Sequence, residues 1–305
     1  MKKIRTVLGD IKPEELGFTY THEHLITHPP AWKIKQDPDL ELPEIDRAIE
    51  ELEYFHRAGG RSLVEGSTID YGRDPEGLKY IAKKVPVHII ATTGFNKGPY
   101  YPEWVKEKSI EELAELFVKE IEIGMDNTDI KAGQIKVGSS YNVITAVEEK
   151  VTRAAARAQK RTGAPIWVHT ENGTMGLEQL EILKQEGADL SKTAVGHSDR
   201  NADPYYHLSI LKMGAYIQFD GPGKIKYYPD SVRVELIKNI INNGYGDKLL
   251  ISGDMGRKSY LKAYQGGPGF EYIIKKFIPR LIAEGVDEAI IRRIFVENPA
   301  RWLAF

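Results

Sequence analysis

Short apolar, β-branched segments alternate with longer amphipathic segments along the chain. The clearest amphipathic segment follows Ser109, where apolar residues recur at positions 110, 113, 114, 117, 118 and 121 and form one helical face. Ser109 is a suitable N-cap for this helix. The pattern predicts strands at Phe18–His24, Ser62–Gly66, Val87–Thr92, Gly133–Gly138, Pro165–His169, Thr193–His197, Ala215–Phe219 and Leu249–Asp254.

Helical periodicity fills the intervals between these strands and continues to the end of the chain. It predicts helices at Glu44–Ala58, Glu76–Lys83, Ile110–Gly124, Ala146–Thr162, Gly176–Glu186, Pro204–Met213, Asp230–Asn243, Phe270–Glu284 and Asp287–Phe295. The segment His28–Pro43 contains prolines at 29, 30, 38 and 43, so we expect an extended loop after the first strand.

Eight strand–helix units in 305 residues predict an α/β protein of the (β/α)8 TIM-barrel class. A doubly wound open sheet is the alternative, but no Gly-x-Gly-x-x-Gly or Walker loop follows any candidate strand. Because no Ser/Gly-rich tract, charge block or low-complexity stretch interrupts the series, we expect one domain over residues 1–305.

Composition narrows the function classes. The 44 acidic and 42 basic residues give a net charge of −2, which argues against binding to nucleic acid or to an anionic membrane surface. No apolar run approaches the roughly 18 residues that span a bilayer, and no signal peptide is evident, so we expect a cytoplasmic protein. The absence of cysteine leaves His, Asp, Glu and Lys to bind any metal.

Ionisable residues fall at matching ends of several predicted strands. His22 and His24 are two residues apart in the first strand and therefore share one face. His169, His197 and Asp254 each end a later strand, and in a barrel these ends converge on one rim. Four imidazoles and a carboxylate at one rim suit a divalent metal site. The other histidines, at positions 28, 56, 88 and 207, show no such register and are interpreted as structural or surface residues.

Four sequence words carry a family resemblance: Tyr20-Thr-His-Glu-His-Leu25, Val168-His-Thr-Glu171, Val195-Gly-His-Ser-Asp199 and Ser252-Gly-Asp254. Together they resemble the phosphotriesterase-related family of the amidohydrolase superfamily, and the resemblance covers essentially the whole chain. It implies a hydrolase with two divalent metal ions, usually zinc, bridged by a carboxylated lysine and a hydroxide. Manganese, cobalt or iron would suit the same donors.

The matching lysine is Lys136, which lies in the apolar fourth strand. By resemblance, His22, His24 and Asp254 hold the first metal, His169 and His197 hold the second, and the carbamate of Lys136 bridges them. Some relatives use a bridging Glu instead, but Glu148 and Glu149 lie in a predicted helix beyond the strand. The resemblance also implies that Asp254 takes the proton of the attacking hydroxide and delivers it to the leaving alkoxide.

The loops after strands seven and eight contain Lys226, Arg257 and Tyr260, which could together bind one anion. This set resembles the phosphofuranose-lactonase sub-branch, in which the corresponding residues bind the 5-phosphate of a 1,4-lactone. We therefore expect hydrolysis of a phosphorylated sugar lactone, with Tyr100 and Tyr101 as candidate pocket-lining residues.

Three alternatives stay open at this point. The same metals could hydrolyse a phosphotriester or phosphodiester, or a lactone without phosphate, and a catalytically silent phosphosugar-binding barrel is a further possibility. The expected partner is a small anionic substrate, and the resemblance also implies a homodimer.

Overall fold

The computed structural model describes residues 2–305, and parallel strands form its centre. An antiparallel hairpin comes first, with β1 at Ile4–Thr6 and β2 at Gly9–Ile11. The barrel strands follow as β3 (Thr19–Glu23), β4 (Ser62–Glu65), β5 (His88–Ile90), β6 (Thr92–Gly94), β7 (Gln134–Gly138), β8 (Ile166–His169), β9 (Thr193–Val195), β10 (Tyr216–Phe219) and β11 (Leu249–Ile251).

These strands close into the predicted barrel. The parallel ladders run in the orders β3-β4-β5 and β6-β7-β8-β9-β10-β11. Only Ala91 separates β5 from β6, so these two segments act as one barrel strand that pairs with β4 and then with β7. At the other seam, the amide of Asp254 donates to the carbonyl of His22 at 3.1 Å. The fold is therefore the (β/α)8 TIM-barrel class that the sequence predicts.

Helices cover the outside of this barrel. The helices of the structure are α1 (Ala31–Gln36), α2 (Ile45–Ala58), α3 (Pro75–Lys84), α4 (Trp104–Glu107), α5 (Ile110–Glu122), α6 (Ala146–Thr162), α7 (Gly176–Gln185), α8 (Pro204–Lys212), α9 (Asp230–Asn242), α10 (Ile278–Ala283), α11 (Glu288–Arg292) and α12 (Asn298–Leu303). Of these, α1 lies at the carboxyl ends of the strands, where its Lys33 lines a cavity. Ser109 caps α5 as predicted, in a reciprocal capping box with Glu112. Within residues 2–305, no helix has the length and apolar character needed to cross a membrane.

The barrel interior is filled by side chains rather than by solvent. Trp167 of β8 lies beneath the rim, and Tyr216, Trp302 and Leu303 pack into the same apolar cluster. Gly196 permits this packing, because a Cβ atom there would lie 1.9 Å from the Trp167 ring. A larger apolar cluster lies between the strands and the surrounding helices. The interior packing gives the rim a rigid floor.

Two segments in the first 43 residues differ from the prediction. The β1–β2 hairpin was not predicted, because strands of three residues are too short for alternation to mark them. The expected loop His28–Pro43 contains α1 and a 3-10 turn at Pro38–Leu40. Pro29 and Pro30 precede α1 and Pro38 begins the 3-10 turn, where a missing amide proton costs no helical hydrogen bond. Pro43 lies two residues before the start of α2.

The C-terminal helices also differ from the prediction. Each contains a π-helical segment, at Ile273–Phe277 and Arg293–Glu297, shortly before a proline. Pro279 and Pro299 lack the amide that an α-helical ladder requires, which disrupts the regular pattern there. The chain then continues into α12, which lies beyond the predicted end of the last helix at Phe295.

Candidate active site

A polar cavity of about 190 Å³ opens at the carboxyl ends of the barrel strands. The sequence-predicted residues that line it are His22, His24, Lys136, His169, His197, Asp254, Lys226, Arg257, Tyr260 and Tyr100. The first six form the part that we call the histidine end, and Lys226, Arg257 and Tyr260 form the part that we call the cationic end. Residues separated by more than 230 positions thus share one cavity.

The strands and the turns after them position the histidine end. His22 and Lys136 lie within β3 and β7, and His169 ends β8. His197 and Asp254 lie just past the ends of β9 and β11. The two predicted strands that end at these residues are therefore longer than the observed strands. Both have a left-handed backbone, with φ of 56° and 47°. Such a backbone costs on the order of 1–3 kcal/mol for a residue with a side chain and is typical of functional sites.

His169 and His197 face each other through one nitrogen each. His197 Nδ1 donates to Asp220 Oδ1 at 2.7 Å, and His169 Nε2 donates to Glu171 Oε2 at 3.1 Å. The remaining nitrogens, His197 Nε2 and His169 Nδ1, are therefore both acceptors, and they stand 2.9 Å apart. Two lone pairs at this distance repel each other unless a cation lies beside both.

His24 is also held through one ring nitrogen, whereas His22 is held by ring stacking. His24 Nδ1 contacts Ser67 Oγ at 2.9 Å, which leaves Nε2 facing Asp254 Oδ1 at 3.6 Å. The His22 ring stacks on Trp167 at 3.8 Å, and both of its buried ring nitrogens lack a hydrogen-bond partner. Gly66 makes room for this ring, because a Cβ atom there would lie 2.4 Å from His22 Cε1. Buried polar atoms without partners are costly, and a bound cation would satisfy them.

The protonation of the imidazoles is also favourable for metal binding. Burial lowers the pKa of His169 to about 4 and holds the pKa values of His22 and His197 well below the ordinary range. For His24, burial acts in the same direction, but its bonds to Asp254 and Glu65 outweigh it and raise the pKa. His22, His169 and His197 are therefore neutral at pH 7, which is the form that binds a metal.

Asp254 stands at the centre of the site. Its Oδ1 lies 3.5 Å from His22 Nε2, and its Oδ2 accepts from Lys224 Nζ at 2.9 Å and from Arg200 Nη2 at 2.8 Å. Burial would raise the pKa of Asp254, but the charge of Lys224 and the proximity of His22 and His24 outweigh it and hold the pKa well below its ordinary range. The carboxylate is thus anionic, with one oxygen directed to the histidines.

Lys136 is buried directly beside this cluster. Its Nζ donates to the carbonyl of Gly66 at 3.0 Å and lies 4.9 Å from the centre of the Trp167 ring. Burial lowers the pKa of Lys136 to about 8, which increases the fraction of neutral amine. A neutral amine is the form that reacts with carbon dioxide, so the environment suits carboxylation.

These donors fit a divalent metal site. Ligand atoms of His22, His197 and Asp254 all lie within 4.8 Å of one another. Neutral imidazoles and a carboxylate are the donors that zinc and similar metals bind, and protein acceptors behind His24, His169 and His197 orient their rings. The unpartnered nitrogens of His22 and the facing lone pairs of His169 and His197 would each be satisfied by a bound cation.

The cationic end begins with Lys226, which has no carboxylate within 4.0 Å among residues 2–305. Its Nζ lies 5.3 Å from the ring centre of Tyr260 and 5.0 Å from that of Tyr227. Partial desolvation and the charge of Arg257 lower the pKa of Lys226 to about 8. The part of this lowering that comes from Arg257, Lys224 and Arg200 reflects a positive potential, which a bound anion would reduce.

Arg257 is already paired in the structure. Its guanidinium binds both carboxylate oxygens of Asp37, at 3.0 and 2.7 Å, and reaches Asp39 at 3.4 Å. The side chain lines the cavity, as predicted, but its two-pronged face contacts the segment after α1 rather than open space. A phosphate at Arg257 would have to share it with Asp37 or displace Asp37.

The two tyrosines that were predicted to line the pocket differ in position. Tyr100 lines the cavity and contacts Tyr71 with ring centres 5.7 Å apart. Tyr101 does not line it, because its buried ring packs against Phe95 at 5.3 Å. The interpretation of Tyr101 as a residue of this pocket is therefore wrong.

Sequence reasoning missed several residues that contact the predicted ones. They are Glu65, Ser67, Glu171, Arg200, Asp220 and Lys224. Lys97, which pairs with Glu171, and Lys33 of α1 also line the cavity. A signal was available for some of them. Asp220 directly follows the seventh predicted strand, and Glu171 and Arg200 are two and three residues past predicted metal ligands.

Comparison with known proteins agrees with this geometry. Residues 2–303 match the phosphotriesterase family. The crystal structure of a lactonase from Listeria monocytogenes is 44% identical with a TM-score of 0.96, covering 99% of this chain and 98% of that one.

Two relatives are named for different activities. A phospho-furanose lactonase from Mycoplasmopsis synoviae is 36% identical, covering 100% of this chain and 92% of its own. An N-acetyltaurine hydrolase from Danio rerio is 35% identical, covering 99% of this chain and 98% of its own. Family, fold and site together identify the chain as a hydrolase that belongs to the phosphotriesterase family.

Proposed function

We propose that this protein is a metal-dependent lactonase that opens a phosphorylated sugar lactone, a 1,4-lactone 5-phosphate. The observation that carries the proposal is that Lys226, a cation without a carboxylate partner within 4.0 Å in residues 2–305, shares one cavity with the histidine end. A substrate with a hydrolysable carbonyl at one end and a dianion at the other fits this polarity. The Listeria and Mycoplasmopsis relatives support the lactone assignment.

His22, His24 and Asp254 would hold one divalent ion, His169 and His197 the other, and carboxylated Lys136 would contact both. Zinc is our first choice, with manganese, cobalt and iron as alternatives. When bound, two such cations would lower the pKa of a shared water and polarise the substrate carbonyl.

The chain's own residues would supply the remaining chemistry. Asp254 would accept the proton of the attacking water and deliver it to the leaving alkoxide when the lactone opens. Lys224 and Arg200 bind Oδ2 of Asp254 and would keep that carboxylate oriented between transfers. Lys226 would bind the phosphate as a point charge, and Tyr260 would donate a neutral hydrogen bond. Arg257 would add a guanidinium that the phosphate shares with Asp37 or takes from it.

The N-acetyltaurine hydrolase relative supplies a second candidate, because its substrate joins a hydrolysable carbonyl to a sulfonate that a cationic pocket could also bind. A sulfonate carries one negative charge, whereas a phosphate monoester carries close to two. Several cations line the cavity, among them Lys33, Lys226 and Arg257, and this number favours the more highly charged group.

A substrate panel tests the proposal. Metal-reconstituted enzyme would be assayed with a 1,4-lactone 5-phosphate, its dephosphorylated form, an aryl phosphotriester and N-acetyltaurine. We expect kcat/KM for the phosphorylated lactone to exceed each of the others by at least about 100-fold, because correct polar pairing discriminates strongly. A higher value for the phosphotriester or for N-acetyltaurine would reject the lactone assignment, and equal values for both lactones would reject the phosphate site.

A further inference from the structure

A second cavity lies at the opposite end of the barrel from the candidate active site. It has a volume of about 470 Å³ and is lined by residues that include Tyr216, Lys248 and Arg301. Tyr216 begins β10, whereas Asp220 of the active site directly follows the end of β10. Four strand residues span roughly 13 Å, so the two cavities are separate. We call this second cavity the basal cavity.

Positive charge dominates the basal cavity. Lys2, Lys192, Lys248 and Arg301 line it, and Asp247 is the acidic residue in its lining. Within residues 2–305, none of the four cations has a carboxylate oxygen within 4.0 Å, although ion pairs are common elsewhere on this surface. In a chain with nearly balanced charge, four unpaired cations around one cavity are not explained by composition.

The local contacts show which of these cations are available to a ligand. Lys192 Nζ donates to the carbonyl oxygens of Arg301, Trp302 and Ala304, so this side chain contributes charge but no free donor. Lys248 Nζ instead lies 4.4 Å from the centre of the Tyr216 ring. No hydrogen bond involves the Lys248 ammonium group among the described residues. Its donors are thus free to bind an anion.

Only one nitrogen of the Arg301 guanidinium donates hydrogen bonds among residues 2–305. Its Nη2 donates to the carbonyl of Asp247 at 3.1 Å and to Asn298 Oδ1 at 2.5 Å. Both acceptors are uncharged, so these bonds position the guanidinium without neutralising it. Burial, followed by the charge of Lys2, lowers the pKa of Lys192 to about 8, which agrees with the uncompensated charge.

The remaining lining is largely apolar, with Pro13, Tyr216, Ala300 and Ala304. We propose that the basal cavity is a binding site for a small organic phosphate, with Lys2, Lys248 and Arg301 on the phosphate group and the apolar lining against its organic part. A phosphate monoester has the two negative charges and several acceptor oxygens that three separate cations can share. This site is independent of the proposed lactonase function.

Calorimetric titration tests the proposal with inorganic phosphate and phenyl phosphate as probes. The wild type is compared with Lys248→Met, Lys2→Gln, Lys226→Ala and Lys84→Met. Lys84 is a matched control, because its Nζ lies 5.0 Å from the centre of the Tyr80 ring, as that of Lys248 lies near Tyr216. Lys84 lines neither the active-site cavity nor the basal cavity. Lys2 provides a second variant whose exposed side chain makes no ion pair, in case Lys248→Met impairs folding.

We expect one class of phenyl phosphate sites to weaken at least tenfold in Lys248→Met and severalfold in Lys2→Gln, and to persist in Lys226→Ala and Lys84→Met. Phenyl phosphate should bind this class more tightly than inorganic phosphate does. A single class that is lost in Lys226→Ala and unchanged in Lys248→Met would overturn the proposal. So would an equal loss in Lys84→Met, or tighter binding of polyglutamate or an oligonucleotide at the same residues.

Discussion

At the histidine end of the cavity, Asp220, Glu171 and Ser67 hold His197, His169 and His24 through the nitrogen that faces away from the cluster. At the cationic end, Lys226 contacts tyrosine rings and Arg257 contacts carboxylates of the segment after α1. The first set is fixed by strands and buried partners, whereas the second depends on loops at the cavity mouth. We infer that the histidine end is preorganised for chemistry, and that the cationic end determines which substrate is accepted.

The largest effect should come from Asp254→Asn. The amide cannot accept the proton of the attacking water, so we expect kcat to fall by about 100-fold or more with much of the metal retained. Steady-state kinetics on metal-loaded protein, together with metal analysis, measures both. A variant that retains near-normal turnover would show that Asp254 is not the proton acceptor.

Asp220→Asn tests whether buried partners preorganise the histidine end. The carboxylate of Asp220 fixes the tautomer of His197 at 2.7 Å, so we expect metal affinity to fall by roughly 10- to 100-fold. Competition with a chelator measures this affinity. The control is Asp129→Asn, because Asp129 is exposed and pairs with Lys79 on the outer surface. Equal affinities in Asp220→Asn and the wild type would refute the preorganisation.

Lys226→Ala separates the two ends of the cavity. We expect KM for a phosphorylated lactone to rise by about tenfold, or about 1.4 kcal/mol, with little change for the unphosphorylated lactone. Lys258→Ala is a matched control from the neighbouring loop, because Lys258 lies 5.9 Å from the Tyr264 ring and does not line the cavity. An equal loss on both substrates would mean that Lys226 does not recognise phosphate.

Asp37→Asn should have the smallest effect, in the opposite direction. It removes the carboxylate that binds Arg257 at two positions, so more of the guanidinium becomes available to substrate. We expect KM for the phosphorylated lactone to fall by about two- to threefold, a shift of well under 1 kcal/mol. If KM instead rises, the pair serves to hold the segment after α1 in place.

The difference between the strand-positioned histidine end and the loop-positioned cationic end also explains what could be predicted from the sequence. Strand alternation located the barrel well, with Ser62–Gly66 predicted and Ser62–Glu65 observed. It also predicted that His22, His169 and Asp254 share one rim, because parallel strands of a closed barrel end on the same face. All three line one cavity in the structure. Residues that strand ends position are therefore predictable from their register.

Contacts between loops were not predictable in this way. The pairing of Arg257 with Asp37 joins residues 220 positions apart in two segments without periodicity. Asp220 lay at a recognisable strand end, but its bond to His197 requires the geometry of two adjacent turns. The prediction for Tyr101 was wrong because neighbouring residues outside a regular strand can face different sides. Of the two tyrosines, Tyr100 alone lines the cavity.

Metal stoichiometry tests the central claim most directly. Protein purified after growth with ample zinc and bicarbonate would be analysed for bound metal per chain, beside a Lys136→Met variant prepared in the same way. The account predicts two metal ions per wild-type chain and a clear loss in the variant, whose side chain cannot be carboxylated. Wild-type protein that is folded but holds no stoichiometric metal would contradict it.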